Sequence, residues 1–174
     1  MAGYVVLLRG INLGSKNRIS MPELREAFEE AGFDGVHTHL QSGNVVLGKR
    51  VNAEEAERLI KERFGLEIAV IVRSAADLAR IVKRNPLRKV ATNPKRYQVT
   101  FLGKKLLAKA VRELEEAAAP GERVVVEGRE VYAWHAEGIA RSKLWSKLAA
   151  KSLGVTATSR NWSTVEALLE LTGG

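Results

Sequence analysis

From Tyr4 to Arg73 the apolar residues change their period in a fixed order, and that order leaves few folds open. Tyr4-Val5-Val6-Leu7-Leu8 is apolar on both faces, as an interior strand is. Ser20-Met21-Pro22-Glu23 then opens a helix as a capping box with proline in its first turn. Leu24, Ala27, Phe28 and Ala31 give that helix its apolar stripe, and Gly32 stops it. Val36, Thr38 and Leu40 alternate with His37 and His39, and Gln41-Ser42-Gly43-Asn44 turns the chain into Val45-Val46-Leu47. Asn52 with Glu55 caps a second helix carrying Ala56, Leu59, Ile60 and Phe64, Gly65 ends it, and Glu67 to Val72 is a further strand. Right-handed crossovers in a βαββαβ order put both helices on one side of an antiparallel sheet, the ferredoxin-like arrangement.

The same order recurs. Ser74 with Asp77 caps a helix that stops near Asn85-Pro86, because the residue before a proline disfavours helix. Residues 87–96 are polar and basic and read as a connection. Tyr97 to Leu102 is a strand, Lys104 to Ala118 a helix, and Arg123–Val126 pairs with Val131–Trp134 across Gly128-Arg129, a II′ turn with glycine leading. A helix over Ser142 to Leu153, a strand over Val155 to Ser159 and a terminal helix capped by Ser163 and Glu166 complete the pattern. The expected fold is α+β, with two ferredoxin-like βαββαβ modules, antiparallel sheets with helices packed on one face, and a C-terminal helix. The modules are expected over 1–92, with a trailing helix, and 93–174. The repetition lies in element order rather than residue identity.

Charge narrows the partners. Twenty-eight Lys and Arg against 20 Asp and Glu give a formal +8, which favours an anionic partner such as nucleic acid or a phosphorylated small molecule. The absence of cysteine excludes disulfides, thiolate metal sites and a cysteine nucleophile. The start, Met1-Ala2-Gly3-Tyr4, lacks a basic region followed by a long apolar segment, and no apolar run approaches the ~20 residues of a membrane helix. A cytoplasmic protein without a membrane partner is the expectation, and no cofactor is called for.

Several clusters carry side chains capable of chemistry. His37 and His39 share one strand face, but no third metal ligand is assured, and the plain reading of all three histidines is as exposed strand residues. Ser42 lacks the G-x-S-x-G setting of a nucleophile and reads as a turn serine. The stretch from Arg9 to Asn17 matches neither phosphate-loop pattern, yet it joins Arg9, Asn12, Lys16 and Asn17 to the start of a helix, as an anion site would; the competing reading is that Asn12 and Asn17 bond backbone to hold the loop itself. Arg141-Ser142-Lys143 repeats those ingredients, with plain capping as the competing reading. Arg160-Asn161-Trp162 offers a planar hydrogen-bonding and stacking surface, against the simpler reading that Trp162 staples the terminal helix. Asn44-Val45-Val46-Leu47 cannot stack bases, and Tyr97, Phe101, Tyr132 and Trp134 read as core.

These residues resemble the DUF1697 family over nearly the whole chain: Leu8-Arg9-Gly10-Ile11-Asn12, Lys16-Asn17, Met21, Leu24-Arg25, Gln41-Ser42-Gly43-Asn44-Val45-Val46, Val72-Arg73, Asn85-Pro86, Ser142-Lys143-Leu144, Thr158 and Arg160-Asn161-Trp162. The resemblance implies an α+β fold with two ferredoxin-like halves and carries no activity or catalytic role with it. Tyrosine often stands in the family where this chain has His39, which weakens the metal reading. Glycine is usual near Ala140.

The functional expectation is a basic, amide-rich loop cleft for an anionic ligand: nucleic acid, a nucleotide or a phosphorylated metabolite. Arg9, Lys16, Lys143 and Arg160 would meet phosphates, Asn12, Asn17, Gln41 and Asn44 would orient the ligand, and Trp162 would stack, with Ser42, Ser142 and Asn161 beside them. The alternatives are a small enzyme for a phosphorylated or acyl substrate in the same cleft, and an oligomeric interaction module with structural loops.

Overall fold

The computed structural model describes residues 3–173; Met1 and Ala2, from the amino-terminal stretch read above, and Gly174 lie outside them. The chain divides into two compact units, one running to Arg80 and including the residues from Ala167 on, the other Ile81–Glu166.

The first unit is built from β1 (Tyr4–Leu8), α1 (Met21–Glu30), β2 (His37–Thr38), β3 (Asn44–Leu47), α2 (Ala53–Phe64), β4 (Val70–Ser74) and the start of α3 (Ala75–Arg84). Its antiparallel sheet has the order β2-β3-β1-β4, so β1, apolar on both faces, is interior. Register pairs Val6 with Val45 and Val72, and Leu8 with Val70. That face packs on Leu24 and Phe28 of α1 and Ala56 and Ile60 of α2. Each fully buried Leu or Phe there contributes about 1.5–3 kcal/mol. The other face, with Val5, Leu7, Asn44, Ile71 and Arg73, is buried as well. The caps are those read from sequence: Ser20 Oγ accepts the Glu23 N–H, Asn52 Oδ1 accepts the Glu55 N–H, and Ser74 and Asp77 bond reciprocally. β2 is shorter than the alternation implies, because Leu40 turns into the left-handed region at φ 61°.

The second unit holds the end of α3, then β5 (Tyr97–Leu102), α4 (Ala108–Ala117), β6 (Glu122–Glu127), β7 (Glu130–His135), α5 (Lys143–Ala149), a 3-10 turn (Lys151–Leu153), β8 (Ala157–Asn161) and the start of α6 (Trp162–Leu171). Its sheet is antiparallel in the order β6-β7-β5-β8. Leu102, Val131, Ala133 and Ala157 meet Leu114, Leu144 and Leu148 on the face covered by α4 and α5. Gly128 at φ 57° leads a two-residue hairpin between β6 and β7. Several expected boundaries move, among them the last strand, which runs over Ala157–Asn161 rather than Val155 to Ser159. α4 starts four residues later than read, at Ala108. The helix from Lys143 breaks where Ala150 goes extended at ψ 144°. Asn161, not Ser163, caps α6, its Oδ1 accepting the Thr164 N–H at 2.9 Å.

The architecture is therefore α+β, with two four-stranded antiparallel sheets and, among the described residues, six α-helices of which α6 is C-terminal. Among the described residues, no helix is long and apolar enough to cross a membrane.

Candidate functional site

In the first unit the chain leaves β1 through Arg9, whose N–H bonds to Ala69 O, and enters a loop held by two asparagines. Asn12 and Asn17 both lie in the left-handed region, at φ 53° and 51°, which asparagine tolerates better than most side chains. The Asn12 side chain is used on both sides. Its Nδ2 donates to Ile19 O at 2.9 Å and Gln41 O at 2.8 Å, and its Oδ1 accepts the Ile19 N–H at 2.9 Å. Asn17 Nδ2 donates to Gly10 O at 3.1 Å, and the Asn12 N–H closes on Asn17 O at 3.0 Å. Between them Leu13 and Lys16 bridge around a tight turn, while Ile11 and Ile19 are buried as anchors.

Asn12 thereby joins this loop to the turn between β2 and β3. Gly43 locks the junction: at φ 90° it occupies left-handed space, and a Cβ there would lie 2.7 Å from Ile11 Cδ1 and 2.9 Å from Leu8 Cβ. Asn44 is fully buried, its Nδ2 donating to His39 O at 2.6 Å and Ser42 Oγ at 3.2 Å. Of the residues expected to meet a ligand in this unit, Asn12, Asn17 and Asn44 thus bond within the loops. Lys16, Gln41 and Ser42 are exposed, and Arg9 is half-buried. His37 is exposed and His39 half-buried, neither shaped into a metal site.

In the second unit Arg160 stands on β8 with its guanidinium buried, Nη1 donating to Thr158 Oγ1 at 2.7 Å and Ser159 O at 2.8 Å. Burial pushes its pKa down to about 10, so it still carries its charge at neutral pH. Trp162 is buried and stacks on Tyr97 with centroids 4.7 Å apart and planes at 19°, and its backbone N–H donates to Pro94 O. Asn161 is the α6 cap described above. Tyr97, Phe101 and Tyr132 are buried, on the face opposite α4 and α5.

His135 departs from the sequence reading: it is completely buried rather than exposed. Its Nδ1 lies 2.6 Å from Glu122 Oε2, and Ser142 Oγ donates to the same oxygen at 2.6 Å. The Ser142 hydroxyl also accepts the Trp145 N–H, capping α5, and the Ala119 N–H donates to Glu122 Oε1. Burial raises the Glu122 pKa, but hydrogen bonds from Ser142, the Ala119 N–H and His135 outweigh it and leave the carboxyl below its ordinary range. Serine, histidine and a carboxylate in contact invite comparison with a catalytic triad, and the geometry refuses it. A triad places the serine on the histidine nitrogen remote from the carboxylate. Here Ser142 and Glu122 both address Nδ1, while Nε2 has no hydrogen-bond partner among the described residues. The cluster fixes the α5 start against β6 and β7. Glu122 and Ser142, with Lys143 and Arg141, line a cavity of about 790 Å³. Sequence spacing carried no sign of this cluster, because Glu122 and His135 become cross-strand neighbours only through the β6–β7 register.

A search of curated proteins finds no match. The solved structure of the conserved bacterial protein SP0830 from Streptococcus pneumoniae resembles this chain with a TM-score of 0.78 at 20% identity, over 98% of each chain, so the two share a fold. Residues 1–132 match the sequence model of the family described as "Protein of unknown function (DUF1697)". Those residues include the Asn12-braced loop, the Gln41–Asn44 turn and the chain into β7 as far as Tyr132. With three quarters of its length under that match, the chain belongs to the DUF1697 family.

Proposed function

We propose that the protein binds an anionic ligand, with nucleic acid or a nucleotide first and phosphorylated metabolites next, on the joined loop surface of the first unit. The observation that carries this reading is the Asn12–Gln41 bond of 2.8 Å, which makes one braced surface from two loops. Asparagines at work inside the loops free Lys16 and Gln41, both exposed, to face a ligand without reorganising. In this reading Asn12, Asn17 and Asn44 position the surface, Lys16 and Arg9 meet phosphates, and Gln41 and Ser42 supply hydrogen bonds. Each unit is read as a ferredoxin-like module; the βαββαβ order with strands 4-1-3-2 supports that.

A thermal-shift screen of nucleotides, phosphorylated metabolites and short oligonucleotides tests the proposal. A ligand present at 100 times its Kd stabilises the native state by about 2.7 kcal/mol. The shift is expected to fall with salt and to shrink in Lys16→Glu and Gln41→Ala. No shift by any anion at low salt would remove the reading. A purely architectural role for the loops is the second reading, favoured by the use of the asparagine amides inside the loops themselves. It is supported if Asn12→Ala lowers stability while every ligand assay is unchanged.

A further inference from the structure

A second basic surface lies in the second unit, outside the residues considered so far. Between Ile81 and Arg96 stand Lys83, Arg84, Arg88, Lys89, Lys95 and Arg96 with no Asp or Glu, six of a net +8 for the whole chain. Two of these have a local reason: Lys83 and Arg84 close the last turn of α3, where cations complement the helix dipole, and Arg84 is paired to Glu127 at 2.8 Å. Arg88 and Lys89 have none. Both are exposed, and their side chains make no hydrogen bond or ion pair among the described residues. They share a concavity of about 480 Å³ with Arg84 and, from β6, Arg123, and no carboxylate lines it.

The backbone that presents these cations is held in place. Asn85 sits in the left-handed region at φ 28°, its N–H on Ile81 O and its Oδ1 accepting the Tyr97 hydroxyl at 2.9 Å. Pro86 fixes the next φ. Leu87 is buried, and its carbonyl accepts the N–H groups of Val90 and Ala91 at 3.0 and 2.9 Å. A run of lysine and arginine on a solvated face has no need of a concavity with a single sign of charge or of a loop pinned from a buried tyrosine.

We infer that this concavity is a binding site for closely spaced phosphates, those of a polyphosphate ester or successive phosphates of a nucleic-acid strand. With Arg84 paired to Glu127, Arg88, Lys89 and Arg123 leave three positive charges around one concavity, more than a single phosphate dianion neutralises, and they match adjacent phosphates. The site does not depend on the loop surface of the first unit.

The test titrates the full-length protein at low salt with inorganic tripolyphosphate by calorimetry and with a fluorescent single-stranded oligodeoxythymidylate by anisotropy. Arg88→Ala/Lys89→Ala is compared with Lys104→Ala/Lys105→Ala, an exposed pair that removes the same charge elsewhere in the unit. Saturable binding weakened roughly tenfold or more by the first pair and less than about twofold by the second supports the site, with a log–log salt slope shallower by about 1.5 to 2. Binding of tripolyphosphate alone assigns a small polyphosphate; binding of the oligonucleotide alone assigns a nucleic-acid strand. Equal weakening by both pairs, or no saturable binding of either probe, overturns the inference. Lys16→Glu separates the two readings: it leaves this binding in place even if the loop surface binds nothing.

Discussion

Replacing Asn12 removes the one side chain that ties the loop after β1 to both Ile19 and the Gln41 turn. Asn12→Ala loses three hydrogen bonds, two donated by Nδ2 and one accepted by Oδ1. At about 0.5–1.5 kcal/mol net each, with the partly exposed Gln41 bond at the low end, these amount to about 2–3 kcal/mol. Alanine at φ 53° adds about 1 kcal/mol of left-handed strain that asparagine partly escapes. The expected loss is about 3–4 kcal/mol, which for a chain of this length lowers Tm by roughly 6–16 °C. Asn12→Asp discriminates further. It keeps an acceptor for the Ile19 N–H but turns a carboxylate oxygen toward the Ile19 and Gln41 carbonyls, so it is expected to cost at least as much as alanine. Urea unfolding followed by circular dichroism gives the energies, and hydrogen exchange at Ile19 reads the local bond, exposed in Asn12→Ala and retained in Asn12→Asp. An Asn12→Ala protein within about 0.5 kcal/mol of wild type, or an Asp variant of wild-type stability, refutes the bracing.

Three other outcomes follow from the geometry. Gly43→Ala adds a methyl 2.7 Å from Ile11 Cδ1 at φ 90°, and is expected to cost about 2–4 kcal/mol by denaturant unfolding. Glu122 has a lowered folded-state pKa, so its stabilisation is in place above the unfolded value of roughly 4.3 and is lost as pH falls through the lower folded one; the stability gap between wild type and Glu122→Gln is expected to narrow in that acid range. Tyr97→Phe deletes the hydroxyl that Asn85 Oδ1 accepts, with an expected loss of about 1 kcal/mol and weaker tripolyphosphate binding although no cation is removed.

Local signals in the sequence were physical enough to survive folding. Ser20, Asn52 and Ser74 cap helices because each carries an oxygen at the right offset from a free N–H, a relation confined to one turn. The double-faced apolarity of Tyr4–Leu8 placed β1 inside its sheet for the same kind of reason. What depends on register was hidden. Glu122, His135 and Ser142 meet only through the β6–β7 pairing and the start of α5, so His135 read as an exposed strand residue. The asparagines of the first loop stood open between ligand contact and bracing of the loop itself, because composition reports a donor but not its partner; Gln41 O is 29 residues from Asn12 in sequence. Arg160 was hidden in the same way, its strand burying it against Thr158, whereas Trp162, stacked on Tyr97 at the start of α6, takes the place of the staple that the simpler reading gave it.

The loop surface is tested most directly by amide chemical-shift mapping of the full-length protein titrated with the tightest anionic ligand from the thermal-shift screen. The expected result is a set of saturable shifts at Lys16, Gln41 and Ser42 that weakens with added salt and is lost in Lys16→Glu. Saturable binding that leaves residues 9–17 and 41–44 unshifted would contradict it.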